Sequence, residues 1–512
     1  MRALFRTRLS RFLPVGALGA SALCASALGS LTGCSTYRIA RYREPSATNR
    51  SMFPVRAVAP AATPFTFARL SAMRTDIDTL PVRTPTGTRV PFATYFTNHK
   101  LLAFVVIQND TIKYERYANG YKADQVVTTF SVSKSILSSL IGIALSEGKI
   151  HSLDDSLVKY LPSLRGKPAF AGVTLRNLLG MRSGLRYTET GKGWWADFRS
   201  DEARTYYSNN LKKTLASAPR VAEPGSIWDY KDTDTELLGW ALANATGTTV
   251  SQYLQEKIWK RIGTENAATF SLDRRNGMEK VSSGFNTTAR DLARFGRLYL
   301  NGGAWGGQQI VPAEWVRQSA VIDSTQVEPN ISNWWQMQHH HFWWHPMQPQ
   351  QGDFYADGSN GERLYIDPAT RTIIVQLANL SSQDFPFRRI TGYLSGTAWN
   401  YPPFIPAMIR AAGANFGVDS IRPMFARLDS ARRARPDSYS LTERGMNSAG
   451  NVLSDSARTR AAGIEVLTLV TERYPNSALG FTNLANALDR AGDKERAELA
   501  RNRAKALEAV KR

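Results

Sequence analysis

The chain has almost no cysteine. Of its 512 residues only Cys24 and Cys34 are thiols, both near the amino terminus, so the body of the protein holds neither a disulfide framework nor a thiolate zinc site. Beyond the amino-terminal segment, no stretch reaches the roughly 18 consecutive apolar residues of a membrane-spanning helix. Acidic residues are also scarce: 43 against 64 lysines and arginines give a formal charge of +21, and none precedes Cys34. The surplus is spread along the chain and not run in blocks. It reads as a basic solvated surface, or as attraction to anionic lipid, wall polymer or an acidic substrate. No recognised binding module accompanies it, so no nucleic-acid partner is expected.

What is present at the start is a leader. "MRALFRTRLSRFLPVGALGASALCASALGSLTGCS" has a basic opening, then an apolar and small-residue stretch without acid, the pattern of an export signal over residues 1–33. Its end, Leu31-Thr32-Gly33-Cys34, resembles the lipobox of bacterial lipoproteins. The resemblance implies cleavage before Cys34, lipidation of that cysteine and a membrane anchor. Ser35 after the cysteine points to an outer membrane, with the protein facing the periplasm. An ordinary secretory signal with a chance cysteine is the alternative. Residues 34–64, rich in Arg, Pro, Ala, Ser and Thr without period, read as a lipidated cysteine and tether.

A chain of this length exceeds one core. "LLAFVVIQND" and "TIKYERYANGY" are β-rich and meet at Asn109-Asp110, a hairpin signal. Helical patterns fill the middle, among them "TELLGWALANATG" and "ARDLARFGRLYLNGG". "GDFYADGSNGERLYIDPAT" and "TIIVQLAN" return to strand character. The expectation is an α/β (α+β) fold over residues 65–415: one antiparallel sheet built from both ends, flanked by helices, plus an all-helical lobe. Residues 416–512 are expected to be helical. There "NLANALDRAGDKERAELARNRAKAL" resembles a tetratricopeptide unit, with Ala485, Ala497 and Ala504 where helices would cross and Gly492-Asp493 at the turn. About two repeats are too few for a free solenoid, so the tail reads as a stabilising appendage or a platform for a protein partner.

Within "FSVSKS", Ser131 and Lys134 lie three residues apart, nearly one helical turn, so the ammonium and the hydroxyl share a face. A helix start also favours developing negative charge. As a bare pattern this is weak, because a serine here equally suits a helix cap or core.

The surroundings say more. "GIALSEGKIHSLDDSLVKYLPSL", "VTLRNLLGMRSGLRYTE", "PGSIWDYKDTDTELLGWALANATG" and "TARDLARFGRLYLNGGAWGGQQIV" follow in order over about residues 65–400. Together they resemble the penicillin-binding-protein and β-lactamase-like serine hydrolases of class C type, nearest in wording to the esterase and 6-aminohexanoate-dimer hydrolase branch. The resemblance implies a β-lactamase/transpeptidase-like fold with Ser131 as nucleophile, Lys134 as its proton-handling partner and Tyr230 as the tyrosine of the second motif. Asp232 stands where many relatives carry asparagine. It can hold Lys134 charged, which makes Tyr230 the better base. Ala356-Asp357-Gly358 aligns with the Lys-Thr-Gly or His-x-Gly strand. Gly358 allows close approach of substrate, and the amides of Ser131 and Ser359 would form the oxyanion hole. The cation is missing at Ala356, which argues against β-lactams and cell-wall peptides, and Asp357 is expected to turn away from an oxyanion.

His339, His341 and His345 invite a metal reading, but no carboxylate is placed to complete a site, and neither metal nor cofactor is expected. The "HFWW" strand, including Trp344, is placed beside the substrate cleft. Trp194, Trp195, Tyr206 and Tyr207 fall where the family often lids its pocket, with core packing as the alternative. The expected activity is hydrolysis of a small-molecule ester or amide through an acyl-enzyme on Ser131, ester preferred. β-Lactamase or D,D-peptidase action, and a catalytically silent peptide- or protein-binding module, are the alternatives.

Overall fold

Leu101–Gln108 is apolar and buried at all but its last position, as suits a strand covered on both faces. Asn109 and Asp110 take φ of 50° and 57° and turn the chain tightly into Thr111–Tyr117. The computed structural model describes residues 35–42, 45–47, 50–83, 88–188, 200–320, 337–346, 352–379, 386–396, 405–434, 441 and 443–509. Among them, eight strands form one sheet in the order Met337–His340, Trp343–Pro346, Phe354–Asp357, Arg363–Asp367, Thr372–Ala378, Leu101–Gln108, Thr111–Tyr117 and Ala68–Arg69. Thr372–Ala378 pairs antiparallel with Leu101–Gln108, so the sheet joins both ends of the domain as expected.

Alternation along the central strand divides the core. Ala103, Val105 and Ile107 share one cluster with Val132, Ile136 and Leu140 of the helix Val132–Ser146. Phe104 and Val106 belong to a second cluster with Phe92, Tyr95, Phe387 and Ile390. Helices therefore cover both faces.

Val132–Ser146 is buried from Val132 through Ala144 although it carries several serines. Those serines are bolts. Ser133 Oγ accepts from the Phe285 amide (3.0 Å), Ser135 Oγ donates to the Phe342 carbonyl (2.6 Å), and Ser139 Oγ meets the Tyr299 hydroxyl (2.8 Å). Gly142 leaves room for the Trp315 ring, which a Cβ would meet at 2.5 Å. The helix is thus fixed in rotation, and its first turn faces one place. A second sheet, Val55–Val58, Ala268–Ser271, Phe285–Thr287 and Val127–Thr128, delivers the chain to that turn.

Two boundary expectations change. The tether expected up to residue 64 is packed: Ser35–Tyr42 is a helix, and Arg38 is buried, donating to the carbonyls of Ser208 (3.3 Å) and Asp273 (3.1 Å). Ile39 and Phe53 cluster with Ala203 and Tyr207, and Val55–Val58 joins the second sheet. A few anchoring side chains without period hold this segment, which is why composition reads it as a linker. At the other end, Ile405 and Ile409 of the helix Ile405–Phe416 cluster with Ile421, Leu453 and Ala462 of the tail, so the tail's core starts before the expected 416. The described residues of the remaining tail are mostly helical, with Ala485, Ala497 and Ala504 buried and Gly492 at φ 84° between Ala478–Ala491 and Lys494–Ala509. No helix among the described residues is long and apolar enough to cross a membrane.

Candidate active site

Three segments meet at the amino end of Val132–Ser146. The first is Thr129–Ser131, tied to the second sheet where the Thr129 amide donates to the Phe285 carbonyl (2.9 Å). Phe130 follows with φ at 46°, a conformation that costs a bulky residue about 1–3 kcal/mol. Stacking on Tyr206 (6.3 Å between centroids) helps hold it. Ser131 then occupies the N-cap position, yet its side chain makes no capping hydrogen bond. The helix-cap role is therefore unfilled, and the hydroxyl is committed elsewhere.

Its partner is Lys134, whose side chain is 1% exposed. Lys134 Nζ donates to Ser131 Oγ (2.8 Å), Asp232 Oδ1 (2.6 Å) and the Ser282 carbonyl (3.1 Å). An ammonium has three protons, and these three acceptors account for them. Burial alone would pull the Lys134 pKa down, but the Asp232 carboxylate and the Tyr230 hydroxyl outweigh it and push it up. The group is a fixed cation.

The second segment begins the helix Asp232–Thr246. Lys231 precedes it and donates to the Leu185 carbonyl (2.7 Å), while Asp234 accepts from the Ser183 amide (3.2 Å) and hydroxyl (2.5 Å). Tyr230 and Asp232 are thereby pinned on either side of a tethered residue. The Tyr230 ring lies 4.9 Å from Lys134 Nζ, which puts the phenol beside the ammonium that Ser131 shares. Burial pushes the phenol pKa up; the Lys134 ammonium and the Ser131 side chain act against that rise.

The third segment is Phe354–Asp357 with its following turn. Ala356 is fully buried in the apolar cluster of the Ser131 side, and Asp357 pairs with Arg363 Nε (2.8 Å) across the register. Gly358 runs hard against the chain leading to Ser131: a Cβ there would lie 2.8 Å from the Thr129 carbonyl oxygen and 2.6 Å from Glu362 Oε2. Ser359 is exposed on the turn. Neither its amide nor that of Ser131 has a partner among the described residues. Beneath the turn, Glu362 is buried, one oxygen accepting from the Asn360 amide (3.1 Å) and the other without a described partner; burial pushes its carboxyl up to about 8.

The aromatic strand forms a wall beside Tyr230. Trp344, half-buried, lies 5.5 Å from the Tyr230 ring, and His339 meets that ring edge-on at 5.4 Å. The three histidines diverge. His341 stacks on Trp315 (4.4 Å) and His345 on Phe354 (6.1 Å), and no described cluster of histidine, cysteine or carboxylate is placed to hold a metal ion. Tyr206 backs Phe130 and Tyr207 is buried against Phe53's cluster, so these two pack the core. Trp194, Trp195 and Cys34 lie outside the described residues.

Sequence reasoning passed over Glu236 and Ser282. The legible signal was the pair Asp232 and Glu236, four residues apart and so on one helix face; nothing in the sequence placed Ser282 against them.

With this geometry in hand, the chain is similar to several known proteins. The family model described as Beta-lactamase matches residues 99–394, more than half of the chain. The 6-aminohexanoate-dimer hydrolase of Paenarthrobacter ureafaciens is 26% identical over 307 residues, 55% of this chain and 73% of that protein. The D-alanyl-D-alanine-carboxypeptidase/endopeptidase AmpH of Escherichia coli is 28% identical over 200 residues, 38% of this chain and 48% of that protein. Among solved structures, "Putative 6-aminohexanoate-dimer hydrolase from Bacillus anthracis" superposes with a TM-score of 0.62 at 27% identity, covering 69% of this chain and 94% of the other.

Proposed function

Because the chain belongs to the beta-lactamase family, we propose that it hydrolyses a small carboxylic ester, or a small amide, through an acyl-enzyme on Ser131. The observation that carries this reading is the placement of Lys134 Nζ 2.8 Å from Ser131 Oγ and 4.9 Å from the centre of the Tyr230 ring.

The chemistry follows from who still has a lone pair. Lys134, with all three protons engaged, cannot accept another; its charge favours the phenolate of Tyr230. That phenolate takes the Ser131 proton as Oγ bonds to the substrate carbonyl carbon. The carbonyl oxygen becomes an oxyanion that accepts from the amides of Ser131 and Ser359. Tyr230 passes the proton to the leaving alcohol or amine, and the bond to it breaks. Water then attacks the acyl-serine with the same phenolate as base, regenerating Ser131.

The substrate class is drawn from what faces the centre. Relatives' carboxylate-receiving cation has no counterpart at Ala356, and Arg363 is committed to Asp357, so an uncharged acyl group is favoured over a β-lactam or a D-alanyl peptide. Trp344 offers an apolar wall for it. Small amides stay within the reading because two of the similar proteins are named as 6-aminohexanoate-dimer hydrolases. Export, with Cys34 acylated at an outer membrane, is proposed from the leader, and a protein partner for the helical tail from its tetratricopeptide-like wording.

The test is a fluorophosphonate label followed by peptide mapping, with p-nitrophenyl acetate and butyrate turnover in wild type and Ser131→Ala. Labelling at Ser131 and loss of turnover in the variant are expected. Turnover that survives the substitution favours a binding module instead, and hydrolysis of nitrocefin or a D-Ala-D-Ala peptide would overturn the substrate argument.

A further inference from the structure

One helix holds Lys134 from two directions. Asp232 reaches it directly, whereas Glu236, one turn along Asp232–Thr246, reaches it through Ser282. The buried Glu236 carboxylate accepts the Ser282 amide (3.1 Å) and hydroxyl (2.8 Å) on Oε1 and the Val281 amide (3.2 Å) on Oε2. The Ser282 carbonyl then accepts from Lys134 Nζ at 3.1 Å. On the other side of this segment Val281 packs against Gly239 of the same helix, where a Cβ would lie 2.4 Å from Val281 Cγ2. Residues 281 and 282 are therefore clamped to the helix by both an acceptor and a close contact. A carboxylate suits the place because both of its oxygens must accept; an amide would offer a donor to one of the two amide N–H groups.

We infer that Glu236 is a positioning residue for the proposed reaction: it fixes the Ser282 carbonyl that takes the third proton of the Lys134 ammonium, and so aims the other two at Ser131 and Asp232. A buried ammonium must satisfy every N–H. If the carbonyl shifts, the amine rotates to find another acceptor, and the bond to Ser131 is the weaker of its two side-chain anchors by length. The inference rests on the reading of Ser131 as nucleophile. Lys280, also buried and near Glu236, donates to the Thr205 carbonyl (3.1 Å) and supplies the opposite charge without touching the catalytic groups.

Two readouts test it, one of them independent of turnover. In Glu236→Ala, kcat for p-nitrophenyl butyrate and the rate of fluorophosphonate labelling should fall at least 10-fold, with KM changed less than 2-fold and thermal unfolding still cooperative. Glu236→Gln should recover part of that loss, because its carbonyl oxygen can still accept from Ser282. Wild-type kcat in Glu236→Ala, or a kcat unchanged while only KM rises, would overturn the inference. Should the alanine variant not fold, Glu236→Gln decides: a loss of roughly 3- to 10-fold in kcat supports the role, and full wild-type kcat overturns it. Separately, the 15N ammonium resonance of Lys134 should be protected from exchange in wild type and in Ser131→Ala and lost in the Glu236 variant. A resonance that persists unchanged in that variant overturns the inference whatever the activity. A wild-type enzyme that is never labelled at Ser131 would count against the nucleophile alone.

Discussion

Lys134 lies closer to Asp232 (2.6 Å) than to Ser131 (2.8 Å). The ammonium is held first by a carboxylate and only then by the serine hydroxyl. For the proposed reaction this ranks the two candidate bases: a lysine paired this way keeps its proton, which leaves the phenol as the proposed base.

Asp232→Asn tests that ranking through the pH profile. In wild type the Lys134 pKa is raised, so the cation survives through the alkaline range, and kcat/KM should climb with pH as Tyr230, also raised, loses its proton. Asparagine removes the charge that opposes burial, so the Lys134 pKa drops and a descending alkaline limb should enter the measurable range. Rates at pH 6 to 10 on a p-nitrophenyl ester check this. A variant that is instead faster than wild type at neutral pH would make the lysine the base.

Gly358→Ala should damage catalysis more than binding. The added methyl meets the Thr129 carbonyl oxygen, which belongs to the backbone leading into Ser131 and cannot swing aside. The strand must retreat, taking the Ser359 amide from the place where the oxyanion forms. Loss of one such donor lowers kcat by about 100- to 1,000-fold. Steady-state kinetics on an ester should show that drop with KM within a few-fold; an unchanged kcat would remove Ser359 from the oxyanion role.

Much of this architecture is legible in the sequence because it is periodic or local. The strand Leu101–Gln108 declares itself by an unbroken apolar run, its turn by Asn109-Asp110, and Ser131 with Lys134 by helical spacing. What is not legible depends on contacts across long stretches of chain. Ser282 meets Lys134 from 148 residues away, and Arg38 finds carbonyls 170 and 235 residues on. Neither leaves a pattern, so residues 35–64 read as a tether. Phe130 is a different case: its left-handed φ is imposed by pairing and stacking, against the preference of its own side chain.

Trp344→Ala should reveal the acyl preference. The indole stands 5.5 Å from the Tyr230 ring and is only half-buried, which suits its proposed role as an apolar face for the substrate. Each methylene buried on such a face contributes about 0.8 kcal/mol. Over acetate, butyrate and hexanoate esters, wild-type kcat/KM should rise with chain length and the variant's should stay flat. Parallel slopes would place the acyl group elsewhere.

Glu362→Gln bears on stability and on the turn that carries Ser359. Burial pushes the Glu362 carboxyl up to about 8, and one of its oxygens has no described partner. An acid whose folded pKa lies above its unfolded value, ordinarily about 4.3, binds more protons folded than unfolded between the two. Its contribution to stability is therefore full below about pH 4 and is lost as pH rises to about 8. Glutamine resembles the protonated acid in shape and cannot ionise, so the loss should vanish with it. The unfolding temperature of Glu362→Gln should match wild type near pH 4 and exceed it by several degrees at pH 8. Taking the difference between the two proteins cancels carboxylates with the opposite trend, such as Asp76 and Glu314 in their arginine pairs. A gap that stays constant with pH would mean that Glu362 is already ionised in the folded protein, with the neighbouring Arg363 outweighing burial.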